Sequence, residues 1–297
     1  MNKYFGILLL MIFAMASVTV ASDYQPRPFI AAAWGNANGE FALSLEAEGN
    51  CPQALAVAED GSIAILDAVN RRVQFYSRAG KWLGAIGIIS GAFDIQLRNQ
   101  EVRVLAPFDQ FVSRYRRDGQ LIEKIAINPK IQMIDGLGGS EDGIVVRTIE
   151  QMQYSLTPNQ AQQIQSARSG SSTRIPGVRI RTQWIDSHRG NLTIEQEASR
   201  KIQTVTITTQ DELGSLVFLD SDRSGNFYVR EELFSPDGKP YFEVVKFDGN
   251  GTLLATIKIE HENLVMPFKP ITIDQYGNIY FLKISADGFL VIQWQER

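Results

Sequence analysis

Residues 52–87, PQALAVAEDGSIAILDAVNRRVQFYSRAGKWLGAIG, overlie the segment that starts at Gly91 when the chain is shifted by 39 residues. Ile63, Ile65 and Leu66 then fall on Val102, Val104 and Leu105, Val73 on Val112, Tyr76 on Tyr115, Gly80 on Gly119 and Ile86 on Ile125. Each copy consists of short runs rich in β-branched and aromatic residues, alternating apolar with polar, that stop at turn signals such as EDG, RAG and RDG. That is the pattern of strands, and it excludes helical repeats of similar length. Four strands per copy is the natural parse: ALAVA, SIAILD, RVQFYS and KWLGAIG in the first. A period of about 40 residues with four antiparallel strands predicts propeller blades, whose radial repetition protects the sheet edges.

The hairpin landmark recurs in SEDGIVV around Gly143, SHRGNLTI around Gly190, SDRSGNFYV around Gly225 and DQYGNIYFL around Gly277. With Gly61 and the Asn99-Gln100 turn, six copies are expected. From Val244, VVKFDGNGTLLATI repeats RVQFYSRAGKWLGAI after an insertion around ELFSPDGKPYFE. The last copy has PITID, NIYFLKI and FLVIQWQER and stops one strand short, while FIAAAWG, residues 29–35, resembles KWLGAIG. The expected fold is therefore an all-β, six-bladed β-propeller of four-stranded antiparallel blades, its ring closed by an N-terminal strand. One propeller domain is expected over residues 22–297, with degenerate blades and a polar insertion at about 134–210.

WGNANGEF followed by CPQALAVAEDGSIAILDAVNRRVQFYSRAGKWLGAIG resembles an NHL repeat: a glycine-containing lead-in, a proline before the inner strand, a glycine hairpin, then Asp-x-x-Asn-x-Arg-Val and an aromatic. The likeness is close over residues 34–87 and weaker over 91–127 and 216–283. It implies a six-bladed propeller of the NHL-like class. Members of that class range from protein- and RNA-binding modules to lyases and hydrolases, so the activity has to be argued from the site.

The first residues, MNKYFGILLLMIFAMASVTVAS, place one lysine before an apolar run from Gly6 to Val20 and end in small residues suited to cleavage after Ala21 or Ser22. The run is shorter than the roughly 20 residues of a membrane span. Residues 1–21 thus read as a signal peptide, and the mature chain as periplasmic or extracellular with no transmembrane segment. Losing Lys3 moves the formal charge from −4 to −5. A mildly acidic chain lacks the basic footprint that nucleic acid requires. Cys51 is the only cysteine, so packing without an internal disulfide must hold an exported chain together. It reads as a small buried hydrophobe, with no histidine or cation nearby in sequence to activate it.

Asp67, Asn70, Arg71 and Arg72 fall within six positions, at the predicted connection between the second and third strands of the first blade. The second copy has Ala106 for Asp67, Asp109 for Asn70 and Phe111 for Arg72, so a blade can form without the cluster, and it reads as a structural elbow. His188 and His261 are the only histidines, where a zinc site here would want several, and neither has an obvious serine or cysteine partner for a triad. A lactonase-like propeller would hold calcium on acidic and asparagine side chains from several blades. The acids near inner strands are Asp94, Asp135, Asp186, Asp220 and Asp274, several of them beside turns, and no asparagine joins them. The compositional outlier is TPNQAQQIQSARSGSSTRIPGVRIR, residues 157–181, polar and carrying Arg168, Arg174, Arg179 and Arg181. On an acidic body, these arginines are the candidate docking residues for an acidic polymer or protein partner of the cell envelope or extracellular space; the bland alternative is a solvated insertion. Asn191 and Asn250 head glycosylation sequons that matter only in a eukaryotic secretory route. The leading functional expectation is an exported, non-enzymatic scaffold that binds a protein or ligand and needs no cofactor. The alternative is a metal-dependent hydrolase or lyase, with calcium as the cation, acting at the mouth of the central channel.

Overall fold

The computed structural model describes residues 23–46, 50–98, 100–138, 143–156, 165–260 and 262–296. The signal-peptide reading of residues 1–21 lies outside them. The described residues form six four-stranded antiparallel sheets and no helix. Blade 1 is β2 (Pro52–Val57), β3 (Ile63–Asp67), β4 (Arg72–Tyr76) and β5 (Trp82–Gly87). Blade 2 is β6 (Asp94–Arg98), β7 (Glu101–Ala106), β8 (Phe111–Arg116) and β9 (Leu121–Ala126), and blade 3 is β10 (Ile134–Gly138), β11 (Ile144–Thr148), β12 (Met152–Leu156) and β13 (Gln165–Ser169). Blade 4 is β14 (Ser171–Ser172), β15 (Val178–Asp186), β16 (Arg189–Gln196) and β17 (Lys201–Thr208). Blade 5 is β18 (Glu212–Ser221), β19 (Phe227–Phe234), β20 (Pro240–Phe247) and β21 (Leu253–Glu260). Blade 6 combines β22 (Ile271–Ile273), β23 (Ile279–Ser285) and β24 (Gly288–Glu296) with β1 (Tyr24–Ala32) from the other end of the chain.

The repeat seen in the sequence is the register of the sheets. Leu66 pairs with Val73 and Val73 with Ile86, just as Leu105 pairs with Val112 and Val112 with Ile125. The core lies between neighbouring blades rather than inside any one of them. Ala54, Ala56, Leu66 and Val73 of blade 1 pack against Ile95, Leu97 and Val104 of blade 2, and equivalent layers follow around the ring. Inner strands are covered on both faces, which explains why β2 and β3 are almost wholly buried, whereas the outermost strand β5 alternates.

The closing strand differs in extent from the expected residues 29–35. It runs from Tyr24 to Ala32 and pairs with β24 from Tyr24↔Glu296 to Ala32↔Phe289, with a register shift between Pro28 and Ile30. Pro26 and Pro28 argue against a strand by composition, but an outermost strand leaves one row of backbone groups unpaired and tolerates the missing N–H. Tyr24 reaches furthest around the ring. Its buried hydroxyl donates to the Gly277 carbonyl at 3.1 Å and lies 3.3 Å from the Tyr228 hydroxyl. Those partners belong to two copies of one hairpin, Asp222-x-x-Gly225-Asn226-x-Tyr228 and Asp274-x-x-Gly277-Asn278-x-Tyr280. In each, one aspartate oxygen accepts backbone N–H groups of the turn, while the other accepts the asparagine amide and the tyrosine hydroxyl. Gly277 has φ +83° and a side chain there would run into the Tyr228 hydroxyl, so only glycine fits this crossing.

Blade 4 corrects one landmark. The turn at 187–188, ahead of Gly190, joins β15 to β16, the second and third strands, and not the first and second. The first-to-second turn is residues 173–177, with Gly177 at φ +72°. Inner strand β14 is only two residues long, too short to leave a periodic signal. The polar outlier also resolves into more than one loop. Residues 165–181 contribute to β13, β14 and β15, and residues 157–164 lie outside the described set.

Candidate functional site

Two sets of connections define the two faces of the ring. The upper face carries the turns between second and third strands and the blade-to-blade connections; the lower face carries the other two kinds of turn. Asp67, Asn70 and Arg72 are on the upper face at the elbow of blade 1. Asp67 is fully buried, and its carboxylate accepts from Arg72 Nε at 2.8 Å, Asn70 Nδ2 at 2.9 Å and the Ala42 N–H at 3.3 Å. Arg72 then donates to the carbonyls of Asn36, Ala37 and Glu40, and Asn70 to that of Gly35. Gln74 continues the set, donating to the Glu40 carbonyl at 2.5 Å while accepting from Gly39 N–H and from Trp82 Nε1. All these groups grip the segment that leads from the closing strand into β2. The cluster is a clamp on the ring seam, its side chains bound to one another and to the backbone of that segment.

The channel mouth on the same face is built from three blades. Gln53, on inner strand β2, accepts the Phe268 N–H at 3.0 Å on its side chain and the Lys269 N–H on its carbonyl. Lys269 Nζ lies 3.4 Å from Asp94 at the start of β6, and the other Asp94 oxygen accepts the Leu137 N–H of blade 3 at 2.9 Å. Phe268 thereby stands beside Phe93, and Phe93 beside Phe108, edge to face at 4.9 and 5.1 Å between ring centroids. Phe108 is 78% exposed.

The predicted candidates separate. Asp94 is buried in the tie just described, and Asp135 pairs with Arg147 at 2.9 Å. Asp220 pairs with Arg174 at 2.6 Å, and Asp274 is consumed by its hairpin. Asp186 is on second strand β15, not an inner strand, and holds Arg189 on the surface. Among the described residues, no three of histidine, cysteine, aspartate and glutamate group as a metal site requires. Of the basic candidates, Arg174 also donates to the Ser221 carbonyl, tying blade 4 to blade 5 on the lower face. Arg179 is buried and donates to the Gly170 carbonyl at 2.7 Å. Arg181 is exposed on β15, and Arg168 is in β13, its side chain outside the described set. The four arginines are thus dispersed from blade 3 through blade 4 to its junction with blade 5. Cys51 is buried, and burial pushes its thiol up to about 12, so it is inert. His261 lies outside the described residues.

His188 lines an open groove of about 760 Å³ on the upper face between blades 4 and 5. Ser187 beside it, Asp211 from the β17–β18 connection, Glu212 at the start of β18, Phe234 at the end of β19 and Pro236 from the β19–β20 turn form its walls. Asp211 is fixed by the Tyr241 hydroxyl, which donates to it at 2.7 Å. One cross-strand pair deeper on the same face of blade 5 than Leu233–Tyr241, Glu231 pairs with Glu243. Burial, then the Glu243 charge, pushes the Glu231 carboxyl up to about 8; burial also raises Glu243, against the pull of Lys258. Neither the groove nor the phenylalanine cluster was singled out in the sequence. The available signal was large aromatic residues in turns, PFD at 107–109 and MPFKP at 266–270, where the first blade has small or polar residues.

No family model matches the chain, and no curated protein matches it. Among solved structures, a member of the DUF4221 family from Bacteroides vulgatus aligns with TM-score 0.56 at 10% identity, over 92% of this chain and 98% of that one. A streptogramin B lyase aligns with TM-score 0.48 at 8% identity, over 92% and 98% of the two chains. A luciferin-regenerating enzyme aligns with TM-score 0.48 at 12% identity, over 82% and 91%. The chain is a six-bladed β-propeller, and at these identities the likeness is one of fold alone.

Proposed function

We propose that this protein is an exported, non-enzymatic scaffold that binds a protein partner across its upper face. The observation that carries this reading is the distribution of exposed large apolar side chains. Leu45, Met133, Leu264, Met266 and Phe268 project from blade-to-blade connections, and Phe108, Ile149, Trp184 and Ile185 flank second-to-third-strand turns. All of these are on the upper face. The lower-face turns expose Tyr276 alone among the described residues, and the remaining exposed apolar side chains are on outermost strands. Exposed apolar groups gathered on one face mark an interaction surface, because isolated ones would be scattered. The acids near the channel are engaged in ion pairs and turns, which favours a scaffold over the metal-dependent hydrolase or lyase.

A photo-crosslinking residue at Phe108, compared with one at Tyr276, tests this in the cells that make the protein. A discrete adduct of defined mass from position 108 and none from 276 is expected. Equal adducts from both faces, or none from 108, would refute the reading. Calcium calorimetry addresses the competing one: saturable heat at about millimolar metal would revive the lactonase-like alternative.

A further inference from the structure

Each blade ends in an outermost strand whose far edge has no partner strand among the described residues. Five of these six edges are spoiled for further pairing. β1, β5, β9, β13 and β21 each break register against the strand inside them. They also carry residues that disfavour a new strand: Pro26 and Pro28 in β1, Gly84 in β5, Glu123 and Lys124 in β9, Arg168 in β13, Lys258 and Glu260 in β21. β17 has none of these protections. It pairs with β16 in unbroken register, from Arg189↔Thr208 to Gln196↔Lys201. Between Lys201 and Asp211 runs IQTVTITTQ, mostly β-branched, with no charge, proline or glycine. The Thr209 N–H donates to the His188 carbonyl at 2.9 Å. Because bonded pairs alternate along an antiparallel ladder, residues 203, 205 and 207 also turn inward, and Ile202, Thr204, Thr206 and Thr208 direct their N–H and C=O groups outward. The side chains of those four residues are exposed as well, Ile202 by 63%. A straight, uncharged edge with its backbone groups open is a template for another strand.

We propose that β17 pairs antiparallel with β17 of a second copy of this chain, about a two-fold axis through Val205, so that the two fourth blades form one continuous sheet. The occupant is read from the strand's own sequence, which is nearly symmetric about Val205: threonines stand on either side of it, and Ile202 and Thr208 lie three residues away. Antiparallel pairing about that point sets Thr204 opposite Thr206 of the second copy, Ile202 opposite Thr208, and Val205 opposite Val205. Threonine pairs and β-branched pairs are favourable cross-strand neighbours. Thr204 and Thr206 already make such contacts on the inner side, with the hydroxyl of Thr193 and the amide oxygen of Asn191. The two Lys201 side chains fall at opposite ends of the pair, so no like charges meet. The outward groups of residues 202–208 then exchange about eight backbone hydrogen bonds, and Ile202 is covered by the threonine methyl opposite. A two-fold contact of this kind is closed, which caps the assembly at two copies. The pairing does not rest on the docking-face reading, but it bears on it: paired strands run in opposite directions, so the two upper faces point opposite ways and a dimer bridges two partners.

The test is sedimentation equilibrium of the mature protein from about 1 to about 300 μM, where a monomer–dimer equilibrium with Kd of about 10 μM is expected for so small an interface. Thr204→Lys with Thr206→Lys sets like charges opposite each other across the axis and is expected to weaken the dimer at least about thirtyfold. Both positions are exposed, so this variant is expected to melt like the parent. Thr204→Lys with Thr206→Glu sets opposite charges across the same axis and is expected to dimerise at least as tightly as the parent. Hydrogen exchange on the unmodified protein gives a readout that needs no variant. Between about 5 and about 500 μM, amides 204, 206 and 208 are expected to slow at least about tenfold, while amides 203, 205 and 207 stay unchanged. A protein that remains monomeric at about 300 μM would overturn the proposal. So would a dimer that keeps its affinity with both lysines in place, or one whose outward amides exchange no more slowly at high concentration. An opposite-charge variant as weak as the like-charge one would overturn the two-fold register. The crosslinking at position 108 reads the upper face and not this edge, so the two proposals fail separately.

Discussion

Blades 1 and 2 carry the same elbow on different chemistry. Asp67 pairs across the ladder with Arg72, while at the matching place in blade 2 Ala106 pairs with Phe111. The turn itself is unchanged. Arg71 and Gln110 adopt φ of 53° and 56°, and their N–H groups return to Ala68 and Pro107 at 3.2 and 3.3 Å. The polar residues of blade 1 are therefore not needed to bend the chain, and their role is set by what the elbow faces. Blade 1 meets the segment that brings the first strand of the chain in from the last blade. In that segment the carbonyls of Gly35, Asn36, Ala37 and Glu40 and the N–H groups of Gly39 and Ala42 are taken up by Asp67, Asn70, Arg72 and Gln74. Blade 2 follows blade 1 directly in sequence, and apolar packing suffices: Ile95, Leu97 and Val104 close the junction, and Lys124 lies 3.5 Å over the Phe111 ring. Polar specificity is concentrated where distant parts of the chain are joined.

The sharpest way to break this contrast is to remove the closing strand. Deleting residues 23–38 takes away β1 and part of the segment the elbow grips, and leaves β24 as an open edge. We expect loss of the cooperative unfolding transition and aggregation through that edge; a truncated protein that melts like the parent would show that the ring does not depend on closure. Asp67→Ala comes next. It strands the Arg72 guanidinium, whose side chain is 13% exposed, and is expected to cost about 3–5 kcal/mol in denaturant unfolding, the usual loss when one member of a buried pair is removed. Grafting the pair into blade 2 as Ala106→Asp with Phe111→Arg tests the same idea from the other side. With no crossing segment to bind, the pair is expected to destabilise by about 2–4 kcal/mol. A neutral or stabilised graft would mean the pair serves the turn after all.

The fold was legible because it repeats. A shift of 39 residues aligned Val73 with Val112 and Tyr76 with Tyr115, and these are equivalent in the sheets because each packs between blades, where only a periodic apolar side chain fits. What escaped was aperiodic. Inner strand β14 is two serines long, so blade 4 was read one hairpin out of step. The closing strand carries two prolines and declares itself only through its partner β24. The candidate site was hardly legible at all. Phe93, Phe108 and Phe268 come from different connections, and Asp211 meets Tyr241 across thirty residues; no spacing rule joins such residues, because blade geometry and not local sequence sets their distance. Charge density likewise does not reveal that Arg174 donates to Asp220 and the Ser221 carbonyl and Arg179 to the Gly170 carbonyl.

Tyr24→Phe sharpens the contrast at lower energy. It keeps the buried ring of the closing strand and deletes only the hydroxyl that reaches Tyr228 and the Gly277 carbonyl. A loss of about 1 kcal/mol is expected, the net worth of a buried hydrogen bond with the partner left behind. Tyr24→Ala, which also empties the layer shared with Phe242, Ile271 and Trp294, is expected to cost about 3–5 kcal/mol. If both variants lose the same amount, the strand is held by the hydroxyl and not by packing.

The smallest expected effect is the control that gives the comparison its meaning. Asp109 occupies in blade 2 the place that Asn70 holds in blade 1, and it is exposed at the end of the same turn geometry. Asn70 reaches Gly35 and Asp67, so Asn70→Ala is expected to cost about 1 kcal/mol. Asp109→Ala removes a side chain with no such work and is expected to change stability by less than about 0.5 kcal/mol. Equal losses at the two positions would return both residues to the role of turn formers, and the clamp would then reduce to Asp67 and Arg72 alone. A measurable loss at Asn70 with none at Asp109 ties the polarity of the first elbow to the seam, because the two turns differ in nothing else that the backbone requires.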